Sequence, residues 1–183
     1  MALSFIMTGT VLCQTPYNVD VTVTGLSNDT VYLANYYGSK LYYSDTTVTD
    51  AQGHFSFKGK AYNECGKYAV VLPGPVFFDI MLVNEPMEFR TTKSNPQGDM
   101  VVMKSDENIV FYDYLSYLNT KRDERTPHDA VLKDSTSSPL QVEIAKNAMV
   151  LMNSEVVEYQ DALIDAPKDY LFGKYLGMLR DPK

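Results

Sequence analysis

The sequence has no tryptophan, two histidines and two cysteines, and its 16 Lys and Arg are outnumbered by 23 Asp and Glu, a formal net charge of -7. Each shortage excludes something. Cys13 and Cys65 lie too far apart to form a C-x-x-C pair, so the chain carries no dithiol redox centre of that kind. His54 and His128 sit in different regions, and neither has the short-range His, Cys or carboxylate spacing of a metal site. No G-x-S-x-G elbow, P-loop, dinucleotide glycine fingerprint or H-E-x-x-H motif occurs. An acidic chain without a Lys/Arg cluster cannot displace the counterions of nucleic acid, which is excluded as a partner. The expectation is a protein that is not an enzyme, with no catalytic, cofactor-binding or metal-ligating residue to nominate and no cofactor.

The first thirteen residues, MALSFIMTGTVLC, also lack charge. They read as a signal peptide over 1–13, with Val11 and Cys13 as the small residues before cleavage at Gln14. The stretch is too short to span a bilayer, so any membrane association would come from an uncleaved signal or a lipid anchor on Cys13, where Leu12 is larger than such a site prefers. Once Cys13 is removed Cys65 stands alone, and a buried, unreactive thiol is expected there.

What is present favours strands. Fourteen Tyr and 8 Phe in 183 residues suit half-buried sheets and wettable interfaces. In Tyr17 to Leu26, Val19, Val21 and Val23 alternate with Asp20, Thr22 and Thr24, a strand with one buried face. Ser27, Asn28 and Asp29 turn the chain into Thr30 to Tyr36, and Gly38 to Lys40 turn it again into Leu41 to Thr49. Ser44 to Gly59 then reads as strand, tight turn and strand, a hairpin with Phe55 and Phe57 on one face and Gly53 supplying a positive φ. Lys67 to Leu72 ends at Pro73-Gly74-Pro75, and the apolar run Val76 to Val83 suits a central strand buried on both faces. Met87 to Thr92 and Asp99 to Lys104 complete an antiparallel β-sandwich over 14–104.

The period then changes, giving a helical segment of two to three helices over 105–183. Asp106 is a candidate N-cap for a helix carrying Ile109, Phe111, Tyr114, Leu115 and Leu118, which runs out in Lys121 to Arg125 before Pro127. Ser138-Pro139-Leu140-Gln141 is a capping-box signature. The helix it opens has a seam of Ala145, Met149, Met152, Val156, Tyr159 and Leu163 and would be about 40 Å long. Such a seam needs cover, from the Asp106 helix as an intramolecular hairpin or from a partner domain or second chain. Tyr170 to Arg180 makes a third, shorter helix.

Few residues suggest binding. Tyr36, Tyr37, Tyr42 and Tyr43 flank one turn, and alternation puts one ring of each pair on each face of the sheet, an aromatic platform for a glycan or peptide. Asp79 lies inside an apolar strand, where burial raises a carboxyl's pKa unless a partner offsets it. The pairs Asp45 and Asp50, and Glu155 and Glu158, read as solvated charge. Asn28-Asp29-Thr30 matches the N-glycosylation sequon.

Together, Val31-Tyr32-Leu33, Asp45-Thr46-Thr47-Val48, Asp50-x-x-Gly53-x-Phe55-x-Phe57-x-Gly59, Tyr68 and Phe77-Phe78 resemble a domain-of-unknown-function family. That family forms the N-terminal β-domain of exported bacterial thiol:disulfide interchange proteins, ahead of a thioredoxin-like domain. The resemblance covers about Tyr17 to Lys104 and implies a periplasmic or cell-envelope location. It also implies a supporting role, in which the module positions a C-terminal redox domain or recognises a protein partner. The chain departs from those proteins in having no C-x-x-C, so no catalytic residue carries over. A free-standing envelope protein that binds carbohydrate or peptide is the alternative.

Overall fold

The computed structural model describes residues 16–38, 40–59, 65–74 and 76–180. The expected leader, 1–13, lies outside them. The chain divides into two compact units, Met1–Val101 and Val102–Lys183.

Among the described residues, eight strands form two four-stranded sheets. They are β1 (Tyr17–Thr24), β2 (Thr30–Tyr37), β3 (Lys40–Val48), β4 (His54–Gly59), β5 (Gly66–Leu72), β6 (Val76–Leu82), β7 (Pro86–Thr92) and β8 (Val101–Lys104). Their orders are β4-β1-β7-β8 and β3-β2-β5-β6, and the division between units falls within β8. Period-two alternation builds the core. Val19 faces Phe57 on one neighbour and Met87 on the other, Val21 likewise faces Phe55 and Phe89, and all six are buried. The second sheet contributes Leu33, Val70 and Phe78 in one cross-strand row, again buried.

Three expectations are corrected. Ser44 to Gly59 is a corner between sheets rather than a hairpin, because β3 pairs with β2 and β4 pairs with β1. The hydrogen bonds show why: the corner is tied to the β1–β2 turn. Val23 N–H donates to Gly53 C=O at 3.0 Å, Asn28 N–H to Asp50 C=O at 3.1 Å, and Thr49 N–H to Asp29 C=O at 2.9 Å. The Asp50 carboxylate accepts from the N–H groups of Gln52 and His54. Second, β1 and β7 run parallel, although the sheets are mostly antiparallel as expected. The chain changes sheet after β1, β3, β4 and β6, and those crossings set β7's direction. Third, β6 ends its sheet rather than lying centrally, although Phe78 to Leu82 are all buried.

Tyr17 ties the two sheets together. Its hydroxyl donates to Asp45 Oδ2 at 2.9 Å, and its ring lies over Gly59, where a Cβ would come within 1.9 Å of the ring. Burial first, then the hydrogen bond and charge of Asp45, push the phenol well above its ordinary value near 10. A raised folded pKa means that this stabilisation is complete below about pH 10 and is lost as pH rises towards the folded value. Thermal melts should therefore fall on crossing about pH 10, less steeply in Tyr17→Phe, which should cost about 1 kcal/mol at neutral pH. Parallel alkaline profiles for the two proteins would refute this.

In the helical unit, α1 spans Asp106–Lys133, α2 Pro139–Ile164 and α3 Leu171–Leu179. The N-cap of α1 is Ser105 rather than Asp106, since the Ser105 hydroxyl accepts from Asn108 N–H at 3.0 Å. The helix also continues through Pro127 instead of stopping before it. Proline removes its own N–H and its ring crowds the carbonyl four residues earlier, a local cost of about 3 kcal/mol that the rest of the helix must offset. Around it the Thr126 hydroxyl donates to Arg122 C=O, and Lys121–Glu124 and Arg125–Asp129 pairs brace the turns. The capping box of Ser138 and Gln141 forms as expected. α1 and α2 make the intramolecular hairpin: Tyr159 packs on Tyr114 and Tyr117, Gln160 donates to Tyr114 Oη at 2.7 Å, and Lys121 reaches Glu155 at 2.7 Å. At α3, where Tyr170 provides no side-chain cap, the Glu107 carboxylate accepts from Leu171 and Phe172 N–H at 3.1 and 2.6 Å.

Candidate functional site

The outer faces of the two sheets differ in kind. On the first, Asp20 faces Ser56 and Glu88 while Thr22 faces His54 and Arg90, the polar surface of a sheet turned to water. On the second, one cross-strand row reads Thr46, Tyr32, Val71, Phe77 and the next Tyr43, Ala34, Ala69, Asp79. Aromatic and aliphatic side chains dominate there. Phe77 and Tyr43 are exposed, and Tyr43 stacks on Tyr32 with ring centroids 4.3 Å apart and an interplanar angle of 12°.

The four tyrosines nominated from the sequence separate into two places. Tyr43, 61% exposed, joins Tyr36 and Tyr32 on the outer face. Tyr37, 76% exposed, and Tyr42, on either side of Gly38, share the opposite face and meet edge to face at 6.2 Å. A bulge decides this. Leu33 pairs with Asp45 and Ala34 with Tyr43, so Ser44 is the extra residue, its hydroxyl donating to Leu33 C=O at 3.1 Å. Without it, alternation from Asp45, whose carboxylate reaches Tyr17 between the sheets, would put Tyr43 on the inner side.

Beside the rings lies a polar group that pairing assembles from three strands. Asp79, buried, accepts from the Tyr36 hydroxyl at 2.5 Å and pairs with Lys67 Nζ at 2.9 Å, and the same ammonium sits 4.9 Å from the centre of the Tyr36 ring. Asp79 thus has the partners its apolar strand called for. Tyr32 is legible from period two with Tyr36, whereas Lys67 and Phe77 need the β2–β5–β6 register. A stacked pair flanked by a carboxylate and an ammonium can receive a flat apolar group and hydrogen-bond its polar edge.

The other candidates do not join it. Asp50 holds the corner with His54 Nδ1 4.0 Å away, while Glu155 and His128 lie in the helical unit. Cys65 is disulfide-bonded, so the lone thiol expected there is not present, and the described residues hold no free cysteine. Among the described residues no group of three or more His, Cys, Asp or Glu is placed to hold a metal ion, and no helix is long and apolar enough to cross a membrane.

Comparison with family models matches residues 17–113 of the 183 to a domain of unknown function, DUF4369. The chain belongs to the DUF4369 family. The DUF4369 match starts at Tyr17 and takes in both sheets and the first turns of α1. Comparison with curated proteins finds no match. The DUF4369 description names no activity and no tie to thiol:disulfide interchange, so function has to be argued from the surface just described.

Proposed function

We propose that the β unit is a non-catalytic recognition module whose aromatic outer face, centred on Tyr32, Tyr36 and Tyr43, receives a partner. The observation that carries this is the contrast between the two sheets: one outer face is polar, the other exposes a stacked tyrosine pair beside the Asp79–Lys67 pair. Apolar area left in water is unfavourable at about 25 cal/mol per Å², and stacking recovers only about 0.5–1.5 kcal/mol, so the ring face still in water favours being covered by a partner. In its biological setting the module would serve an exported bacterial thiol:disulfide oxidoreductase in the periplasm or cell envelope, positioning the redox domain or recognising its substrate protein. The supporting ground is the sequence resemblance.

A second reading is a free-standing carbohydrate- or peptide-binding envelope protein. It is favoured by the exposed face of Tyr43 beside hydrogen-bonding groups, the arrangement that takes a sugar ring or a side chain. Glycan and peptide arrays probed with the full chain test recognition directly. Tyr43→Ala should weaken the captured ligand about tenfold, or about 1.4 kcal/mol, with unchanged circular dichroism. Loss instead in the Tyr37→Ala, Tyr42→Ala double variant would move the site to the opposite face. Profiles indifferent to both would sink the reading. For the oxidoreductase setting, the product of the native gene should reduce insulin in a dithiol-dependent assay.

A further inference from the structure

We infer that the loop end of the α1–α2 hairpin, which α3 leaves uncovered, is a docking groove for a basic amphipathic helix of a partner protein. The hairpin is longer than its third helix can cover. α1 has 28 residues and α3 has 9, roughly 42 Å against 14 Å. α3 is held at one end only, through Glu107, Phe111 and Tyr114 of α1 and through Asp161 of α2, which pairs with Arg180. Towards the other end a groove of about 500 Å³ opens between the helices, with Lys121, Glu124 and His128 on the α1 wall and Leu151, Met152 and Glu155 on the α2 wall.

Two properties of this end define the occupant. Leu140, Ile144 and Leu151 are 66%, 56% and 61% exposed, and their spacing of four and seven puts them on one stripe of α2 that reaches the groove at Leu151. A helical hairpin with such a stripe offers the seat for another helix of a bundle. The charge selects among helices. Glu124 and Glu155 share the single ammonium of Lys121, at 2.8 and 2.7 Å, so the rim carries one uncompensated negative charge, part of the acidic balance of the whole chain. A second copy of this chain would bring the same surplus against itself, whereas a helix with Lys or Arg flanking an apolar stripe complements it. About 18 residues, roughly 27 Å, would span the uncovered length.

The test uses the full chain and two helix-stabilised peptides of about 18 residues, one with Leu at helical spacing and Lys elsewhere, the other with Glu replacing Lys. The Lys peptide should bind, less tightly as salt is raised, and at least tenfold more tightly than the Glu peptide. It should shift the imidazole resonances of His128 and leave those of His54, in the β unit, unmoved. Leu151→Ser, a neutral change at an exposed position, should weaken binding about tenfold without altering helicity. Glu124→Lys with Glu155→Lys should reverse the preference between the peptides. An unmoved His128, or a preference that survives the charge reversal, overturns the inference. So does sedimentation showing a dimer that Leu151→Ser dissociates, since the occupant would then be a second copy.

Discussion

Replacing Gly53 by alanine is expected to destabilise the β unit by about 3 kcal/mol, read as a fall in the urea midpoint with the slope unchanged. Two costs combine. Gly53 has φ +79°, a left-handed conformation that costs an L side chain about 1–2 kcal/mol. A Cβ built there would also lie 2.2 Å from Val23 O and 2.7 Å from Leu26 O. Both are backbone atoms, so no rotamer change relieves the contact. Val23 C=O is itself engaged by Leu26 N–H, and Val23 N–H donates to Gly53 C=O, so the corner can open only by breaking the bonds that join it to the β1–β2 turn. A loss below about 1 kcal/mol would mean that the corner yields and that its hydrogen bonds do not hold the sheets in place.

Phe57→Ala should be at least as damaging, about 3–5 kcal/mol. Phe57 is 1% exposed, faces Val19 across the β4–β1 pair, and meets Phe55 edge to face at 5.6 Å. Removal leaves a cavity between two sheets already packed at interior density, and neither sheet can close over it without shifting its ladder. Phe57→Leu, which keeps most of the volume, should lose less than half as much, and equal losses would argue that the site collapses freely. The imidazole resonances of His54 should follow the β unit and the 222 nm signal the helices. Divergence of the two transitions would show that the units unfold separately.

Much of the fold was legible in local pattern. The valines of β1 and the phenylalanines of β4 alternate because a half-buried strand must, and both strands lie where alternation ends. The Ser138 cap, Pro139 and Gln141 marked the start of α2 to the residue, since the groups they satisfy are within one turn. The errors came where the deciding contact is distant. Nothing in Ser44 to Gly59 distinguishes a hairpin from a corner, because the hydrogen bonds that make it a corner go to Val23, Asn28 and Asp29. Pro127 read as a stop, yet α1 continues through it, with the Thr126–Arg122 hydrogen bond and the Arg125–Asp129 pair bracing the turns around it.

The candidate site was half legible for the same reason. Tyrosines on either side of Gly38 pointed to an aromatic surface, and an aspartate in an apolar strand pointed to a partner. The sequence by itself determined the strand and helix content, the buried faces of β1 and β4 and the cap of α2, since these depend on residues within a turn or a few positions of one another. Only the tertiary structure decided which strands pair, that Ser44 bulges to turn Tyr43 onto the face of Tyr32, and that Lys67 and Tyr36 meet at Asp79. A one-residue change of register moves a side chain to the opposite face of a sheet, and register is set by long-range packing that no local stretch of sequence contains.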